Sequence, residues 1–294
     1  MKIMMVTGAG INESCGLSVY DPALGRYTST EMPTGGRIEQ VINAKLLEKD
    51  PDVFWSYWRD YCRKLDAALP GPAHDAIRDI AELCTEFVEV TQNHDEISFK
   101  ARPGVHWRIT LHGRADDYYC ATCKSTFSQD YSAQMTLPPR LKEGNAIYRC
   151  LNRHNDIRPD VDWMKEGISV YEYDRALAQA GVSDVLVICG ASISYSYILN
   201  FVEATLSAGG QVLYIDPQAS AFNSRFMKSD LDLESITKIQ CIQGSPDSVL
   251  PGLAVFLKAQ KSGAEGHKSL PNPFDSASLG AWIAGEGVAT KHDN

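Results

Sequence analysis

Several features are missing from this 294-residue chain, and each absence excludes something. No apolar run approaches the roughly 20 residues that a membrane-spanning helix requires. The opening MKIMMVTGAG meets glycine too early for a secretory leader. Together these absences predict a soluble, cytoplasmic protein with no membrane partner. Positive charge is also scarce: 28 Lys and Arg stand against 37 Asp and Glu, a formal net charge of −9. Nucleic-acid phosphates are neutralised by clustered cations, so no nucleic-acid partner is expected, while a basic protein partner is permitted. No internal repeat is found. The eight cysteines of a chain without a leader read as core thiols and possible metal ligands rather than a disulfide framework. Cys15, Cys62, Cys84, Cys189 and Cys241 lie in apolar or helical surroundings that suit packing.

What remains is an ordinary globular composition, 44% apolar and 22% charged, which rules out disorder of the whole chain. Short, nearly continuous apolar runs predict strands at 2–7, 86–91, 108–111, 184–189, 211–216 and 238–243, of the kind buried on both faces of a parallel sheet. Helical periodicity is found over 37–48, 52–67, 72–83, 195–208 and 246–260, the last with Ser245 as N-cap and Pro246 at the first helical position. Strands alternating with helices predict an α/β, Rossmann-like, doubly wound parallel sheet. Two stretches break the alternation: 22–69 shows helices but no strand, and 114–167 is rich in polar turns and cysteine. The expected organisation is a sheet domain of 1–25, 70–113 and 168–260, a smaller inserted domain of 26–69 and 114–167 combining a helical with a zinc-ribbon-like module, and a polar, flexible tail over 261–294.

At the end of the first strand stands Gly8-Ala9-Gly10. Such a turn lets backbone N–H groups approach a pyrophosphate, but the spacing departs from G-x-G-x-x-G, and many glycine turns are only turns. The remainder of the chain decides between these. TQNHD (91–95) closes the second core strand, LHG (111–113) the third, then CATC (120–123), RPDVDWMKE (158–166), GAS (190–192) after a strand, and YIDP (214–217) follow. In order and spacing these resemble the sirtuins, NAD-dependent protein deacylases whose signature runs GAGxS, GIPxFR, PNxAH, TQNxD, HG, two CxxC pairs, RPxVVxFGE, GTS and IN. The resemblance covers about residues 3 to 260.

That resemblance implies roles for individual residues. Gly8, Ala9 and Gly10 form the pyrophosphate turn, and Tyr20 shields the ribose. Gln92, Asn93 and Asp95 hold the nicotinamide ribose and carboxamide. Gly190 and Ser192 reach the adenosine side, and Asp216 the adenine ribose. Val161 and Trp163 border the channel for an acylated lysine, and His112 is the general base with Asn93 beside it. The chemistry suits the residue types: imidazole, with a pKa near ~6.5, can take a ribose hydroxyl proton at neutral pH, and an amide offers both donor and acceptor. The implied co-substrate is NAD, and the implied partner is an acylated lysine in a protein.

This chain also departs from the pattern. Tyr20 stands where the family has phenylalanine, Asp21 where it has arginine, Asn12 where it has serine, and His94 in the variable apolar position of TQNxD. Asp162, Met164 and Lys165 alter the strip that clamps the substrate, and Asp216 replaces asparagine. Of the zinc ligands, Cys120, Cys123 and Cys150 have counterparts. Arg153 takes the fourth place, with His154 one residue on. Three thiolates and one imidazole make a chemically reasonable structural Zn2+ site, and loss of the metal is the alternative. Two further functions stay open: an ADP-ribosyltransferase or NAD glycohydrolase using another acceptor, and a non-catalytic NAD-binding module.

Overall fold

The computed structural model describes residues 1–17, 20–21, 26–27, 43–101, 108–124, 126–128, 157–163, 166–191, 196–219 and 236–261. In chain order its elements are β1 (Lys2–Thr7), a 3-10 turn (Ala9–Cys15), β2 (Tyr20–Asp21), β3 (Arg26–Tyr27), α1 (Ala44–Lys49), α2 (Pro51–Ala67), α3 (Pro72–Leu83), β4 (Glu86–Thr91), α4 (Ile97–Ala101), β5 (Arg108–Thr110), β6 (Gly113–Cys120), β7 (Thr126–Ser128), β8 (Ile157–Val161), α5 (Val170–Ala180), β9 (Val185–Cys189), α6 (Ser196–Ser207), β10 (Gln211–Asp216), β11 (Ile239–Gln243) and α7 (Pro246–Lys261).

Six of the strands form one parallel sheet in the order β11-β10-β9-β1-β4-β5. Successive side chains of a strand point to opposite faces, and β1 is apolar on both. Ile3 and Met5 pack beneath α3 and α7, with Ile77, Ile80, Leu253 and Phe256. Met4 and Val6 pack against α5 and α6, with Ala176, Ile198, Phe201 and Val202. The doubly wound sheet expected from the sequence is therefore present. Ser245 caps α7 as expected, its hydroxyl accepting from Ser248 N over 3.3 Å.

The strand order places the functional crevice. From β1 the chain moves outward to β4 and β5, returns to β9 on the other side of β1, and then moves outward again through β10 and β11. The loops leaving β1 and β9 thus diverge, and ligands of open α/β sheets bind at the carboxyl ends of strands at such a switch point.

A second sheet, β7-β6-β8, is antiparallel and packs on α2. Phe54, Trp58, Cys62 and Leu65 recur at helical spacing along α2 and meet Tyr118, Cys120, Ile157 and Val161. The Trp58 indole N–H donates to the Tyr118 hydroxyl over 3.3 Å, so neither buried polar group is left without a partner. Two sequence expectations need correcting. Residues 22–69 were expected to hold no strand, yet Arg26–Tyr27 pairs with Tyr20–Asp21. The 114–167 stretch likewise contributes three strands to this second sheet rather than turns alone. Its alternation is hidden by a bulge: Ala115, Tyr118 and Cys120 point inward, and the register slips between Gly113 and Tyr118. The expected tail beyond residue 261 lies outside the described residues. Among the described residues no helix is long and apolar enough to cross a membrane.

Candidate active site

The turn after β1 is built against the loop after β9. Gly10 N donates to Gly190 O over 2.9 Å, and Ile11 N to Gly8 O over 3.1 Å. A methyl group on Gly8 would sit 2.7 Å from both Ala191 Cα and Gly190 O, and one on Gly10 2.6 Å from Gly190 Cα. The glycines are thus required by the close crossing of two loops, and two N–H groups of the turn are already taken within the protein. Gly8, Ala9, Gly10 and Gly190 lie together where the two loops cross. Ser192 lies outside the described residues, as does the side chain of Tyr20.

The β4 end supplies the next layer. Gln92 N donates to Thr7 O over 2.9 Å, and the Asn93 side-chain amide donates to Gly8 O over 3.0 Å, tying the TQN segment to the glycine turn. Asp95 is 5% exposed, so its carboxylate must be satisfied internally. Its Oδ1 accepts from Ile97 N over 2.9 Å and its Oδ2 from the Asn12 amide over 2.6 Å. Asn12 in turn accepts from His74 Nε2 over 3.1 Å, while His74 Nδ1 accepts from Gly71 N over 3.2 Å. A backbone N–H can only donate, so His74 carries its proton on Nε2. Burial holds its pKa below the usual histidine range, in keeping with a neutral ring. A carboxylate has about four acceptor sites, so two internal donors leave Asp95 able to accept from a ligand amide.

His112 stands in the turn between β5 and β6, positioned by Leu111 N, which donates to Thr91 O over 2.9 Å. Burial pushes its pKa down to about 4, opposed by a hydrogen bond to the Gln92 backbone. The ring is therefore neutral at pH 7 with one N–H on the Gln92 carbonyl. The other nitrogen, Nε2, lies 3.0 Å from the Tyr197 hydroxyl and accepts from it. The Gln92 side-chain amide donates to the same hydroxyl over 2.7 Å. A neutral imidazole accepting an O–H is the ground-state arrangement of a general base.

Tyr197 was not among the residues expected from the sequence. The signal available was its spacing from Phe201 within a predicted helix, which sets both on one face; their rings lie 5.9 Å apart. The His74–Asn12–Asp95 chain was also missed, since nothing in the sequence links positions 62 and 83 residues apart. A second imidazole, His94, packs edge to face with His112 at 6.2 Å between ring centroids. Its Nε2 is buried with no hydrogen-bond partner among the described residues. Burial, and then the proximity of His112, holds its pKa down at about 3.

The end of β8 is joined to His112 through its backbone. Asp162 N donates to His112 O over 2.9 Å, and Val161 pairs with Gly113. Val161 is buried beside the His112 turn. Trp163 lies deeper in the small module, 5.5 Å from Phe54 and with the Arg158 guanidinium 4.0 Å above its ring. Burial raises the Asp162 carboxyl to about 6. Asp216 is at the end of β10, its Oδ1 accepting from Gln218 N over 2.7 Å, and burial raises its pKa as well. Cys120 ends β6 and Cys123 closes the turn after it. Cys150 and His154 lie outside the described residues, and no group of three or more metal-ligating side chains occurs among the described residues.

Comparison with known proteins completes the picture. The model of the Sir2 family matches residues 8–196, more than half of the chain. A NAD-dependent protein deacylase of Leptospira interrogans serogroup Icterohaemorrhagiae serovar Lai (strain 56601) is 24% identical over 253 residues, spanning 86% of this chain and 91% of that protein. One from Pyrococcus abyssi (strain GE5 / Orsay) is 27% identical over 218 residues, 73% of this chain and 81% of that protein. Among solved structures, a Sir2 homolog–NAD complex aligns with a TM-score of 0.67 at 22% identity, covering 88% of this chain and 90% of that one. Sir2Af2 bound to a myristoylated histone peptide aligns with a TM-score of 0.57 at 20% identity, covering 89% and 92%.

Proposed function

Because the chain belongs to the Sir2 family, we propose that it is an NAD-dependent protein lysine deacylase, cleaving NAD to nicotinamide and transferring the acyl group to ADP-ribose. One observation carries this: a neutral His112 at the carboxyl edge of the sheet, its Nε2 accepting from a hydroxyl, within the same hydrogen-bonded layer as Gln92. The relatives from Leptospira interrogans and Pyrococcus abyssi bear the deacylase name, and similar folds are known with NAD and with an acylated peptide, which supports the assignment.

In this proposal the acyl-lysine oxygen displaces nicotinamide from the ribose carbon, and the protein's own groups supply position and proton transfer. Asn93, fixed by Gly8 O, presents its amide to the nicotinamide ribose, and Asp95 accepts from the carboxamide. His112 removes the ribose hydroxyl proton; its depressed pKa keeps it unprotonated throughout the neutral range. Gly8, Ala9, Gly10, Gly190 and Ser192 line the phosphate and adenosine side, and Tyr20 and Asp216 the two riboses. Val161, held beside His112 by the Gly113 pairing, borders the acyl-lysine channel, and Trp163 supports it from behind. His112→Ala tests the assignment: NAD binding persists while turnover falls by about 10²-fold or more. A variant with full turnover would remove His112 from the chemistry.

The Asp162 carboxyl, raised to about 6 and joined to the base through one backbone bond, favours a second reading in which the acceptor is another side chain or water. NAD consumption without an acylated peptide would identify that activity.

Zinc is proposed as a structural ion. Cys120 and Cys123, on a tight turn at the end of β6, fit half of a tetrahedral thiolate set, and Cys150 and His154 would complete it. The ion would brace the small module and take no part in the reaction. Metal analysis of the purified protein is expected to find one zinc ion per chain, lost in Cys123→Ala, and a metal-free wild type would contradict the assignment.

A further inference from the structure

We propose that Arg108 is a positioning residue for the co-substrate: its guanidinium grips the backbone of Asp95 and so sets how the Asp95 carboxylate meets the nicotinamide carboxamide. The inference rests on the role given to Asp95 in the deacylase function above and deepens it.

Arg108 opens β5, the strand that leads into the His112 turn, whereas Asp95 lies in the turn between β4 and α4. Arg108 Nη2 donates to the Asp95 carbonyl oxygen over 2.7 Å. Nε and Nη1 are buried and make no hydrogen bond among the described residues. Carboxylates hold these two nitrogens by charge instead, Glu89 Oε2 at 3.9 Å from Nε and Glu96 Oε2 at 3.3 Å from Nη1. The guanidinium is thus placed by two carboxylates and aimed by the Asp95 carbonyl.

The carboxylates are themselves fixed. The Arg108 and Glu89 side chains are 14% and 8% exposed, so water screens this pair far less than it screens a surface pair. Glu89 Oε1 accepts from Thr7 Oγ1 and from Ser98 Oγ, each over 2.9 Å. Thr7 ends β1 just before the glycine turn, and Ser98 belongs to α4. Glu96 Oε1 accepts from Arg114 Nε over 2.8 Å, which ties it to β6.

Two successive carbonyls hold the segment that carries Asp95. His94 O accepts from Ala115 N over 2.9 Å, and Asp95 O accepts from Arg108. The donors flank His112 along the chain, one in β5 and one in β6, so the base and the carboxamide grip share one frame. The bond from Ala115 is a backbone bond, which any residue except proline supplies. The bond from position 108 needs a long side chain with a donor at its tip. Without Arg108 the segment keeps its place through His94 O, and the Asp95 carboxylate keeps Ile97 N and the Asn12 amide. The expected result is a poorer aim, not a lost site.

Calorimetric titration with NAD and with ADP-ribose, which lacks nicotinamide, tests the assignment. In Arg108→Met the Kd for NAD is expected to rise about tenfold, the scale of one weakened hydrogen bond to a charged group, while the Kd for ADP-ribose stays within about twofold of wild type. Equal losses for the two ligands would make Arg108 a structural residue and overturn the proposal, as would an unchanged Kd for NAD. Adding Arg108→Met to Asp95→Ala is expected to change the Kd for NAD by less than about twofold, because the effect runs through Asp95. A second loss as large as the first overturns it. Arg108→Met leaves the buried Glu89 carboxylate without this cation, so the comparison is also made between Glu89→Gln and Glu89→Gln/Arg108→Met. There the glutamine oxygen still accepts from Thr7 and Ser98, and the uncompensated charge is gone. The same selective loss of NAD affinity is expected, and its absence overturns the proposal. A wild type that binds NAD with this selectivity yet deacylates no acyl-lysine peptide overturns the deacylase function and leaves the role of Arg108 standing. A wild type that binds no NAD overturns both.

Discussion

The side-chain amide of Asn12 donates to the buried carboxylate of Asp95 over 2.6 Å and takes its own acceptor role from His74. Three polar side chains from the glycine turn, α3 and the β4–α4 turn are thereby satisfied in one chain. Asn12→Ala leaves the His74 N–H and Asp95 Oδ2 each without this partner. The expected cost is about 1–3 kcal/mol in urea unfolding, accompanied by weaker NAD binding as Asp95 loses its orientation. A loss below about 0.5 kcal/mol would show that the chain is not a structural support.

Folding stability is expected to fall as the pH drops from about 6.5 towards 4. His94 and His112 have folded pKa values of about 3 and about 4, depressed first of all by burial. In that window the unfolded chain binds protons that the native state excludes, so stability rises with pH through it and is fully present above the unfolded value. Asp162, raised to about 6, opposes this in part, since its buried carboxyl loses stability as pH rises from 3.8 to 6. Urea midpoints at pH 7.5, 5.5 and 4.5 measure the net slope. His94→Leu removes an imidazole nitrogen buried without a partner among the described residues. It is expected to stabilise the protein by about 1 kcal/mol at neutral pH and to flatten the slope. A destabilised His94→Leu would show that the nitrogen has a partner in solution.

Gly113, next to His112, pairs with Val161 at the end of β8. Its φ of 76° lies in the left-handed region, and a Cβ there would collide with the Asp160 carbonyl oxygen. Gly113→Ala must therefore push β8 away from β6, at a cost of about 2 kcal/mol or more. Because Asp162 N bonds to His112 O, turnover should fall along with thermal stability. Normal turnover in a destabilised variant would separate the strip from the site.

The parallel sheet was legible because its strands are buried on both faces. Runs such as VLVIC at β9 leave little else for the chain to do, and the strand ends fell within about a residue of those expected. The second sheet was not legible, since the bulge in β6 breaks the period of two and places Asp116 and Asp117 between its inward-facing residues. Helix α5 was also missed: VYEYDRALAQA buries only Ala176 and Ala180 completely, leaving a faint apolar stripe. Within the site, Gln92, Asn93, Asp95 and His112 could be named from local motifs. Tyr197 and Asn12 gain their meaning from partners far away in the chain, and only the fold brings these together.

The central claim is that NAD is broken here to remove an acyl group from lysine. Mass spectrometry of a reaction containing NAD and an acyl-lysine peptide tests it most directly. The account predicts nicotinamide, deacylated peptide and O-acyl-ADP-ribose in equal amounts, with none formed when the peptide is omitted or His112 is replaced by Ala. Nicotinamide and free ADP-ribose appearing at the same rate without peptide, or no loss of NAD with any acylated peptide, would contradict it.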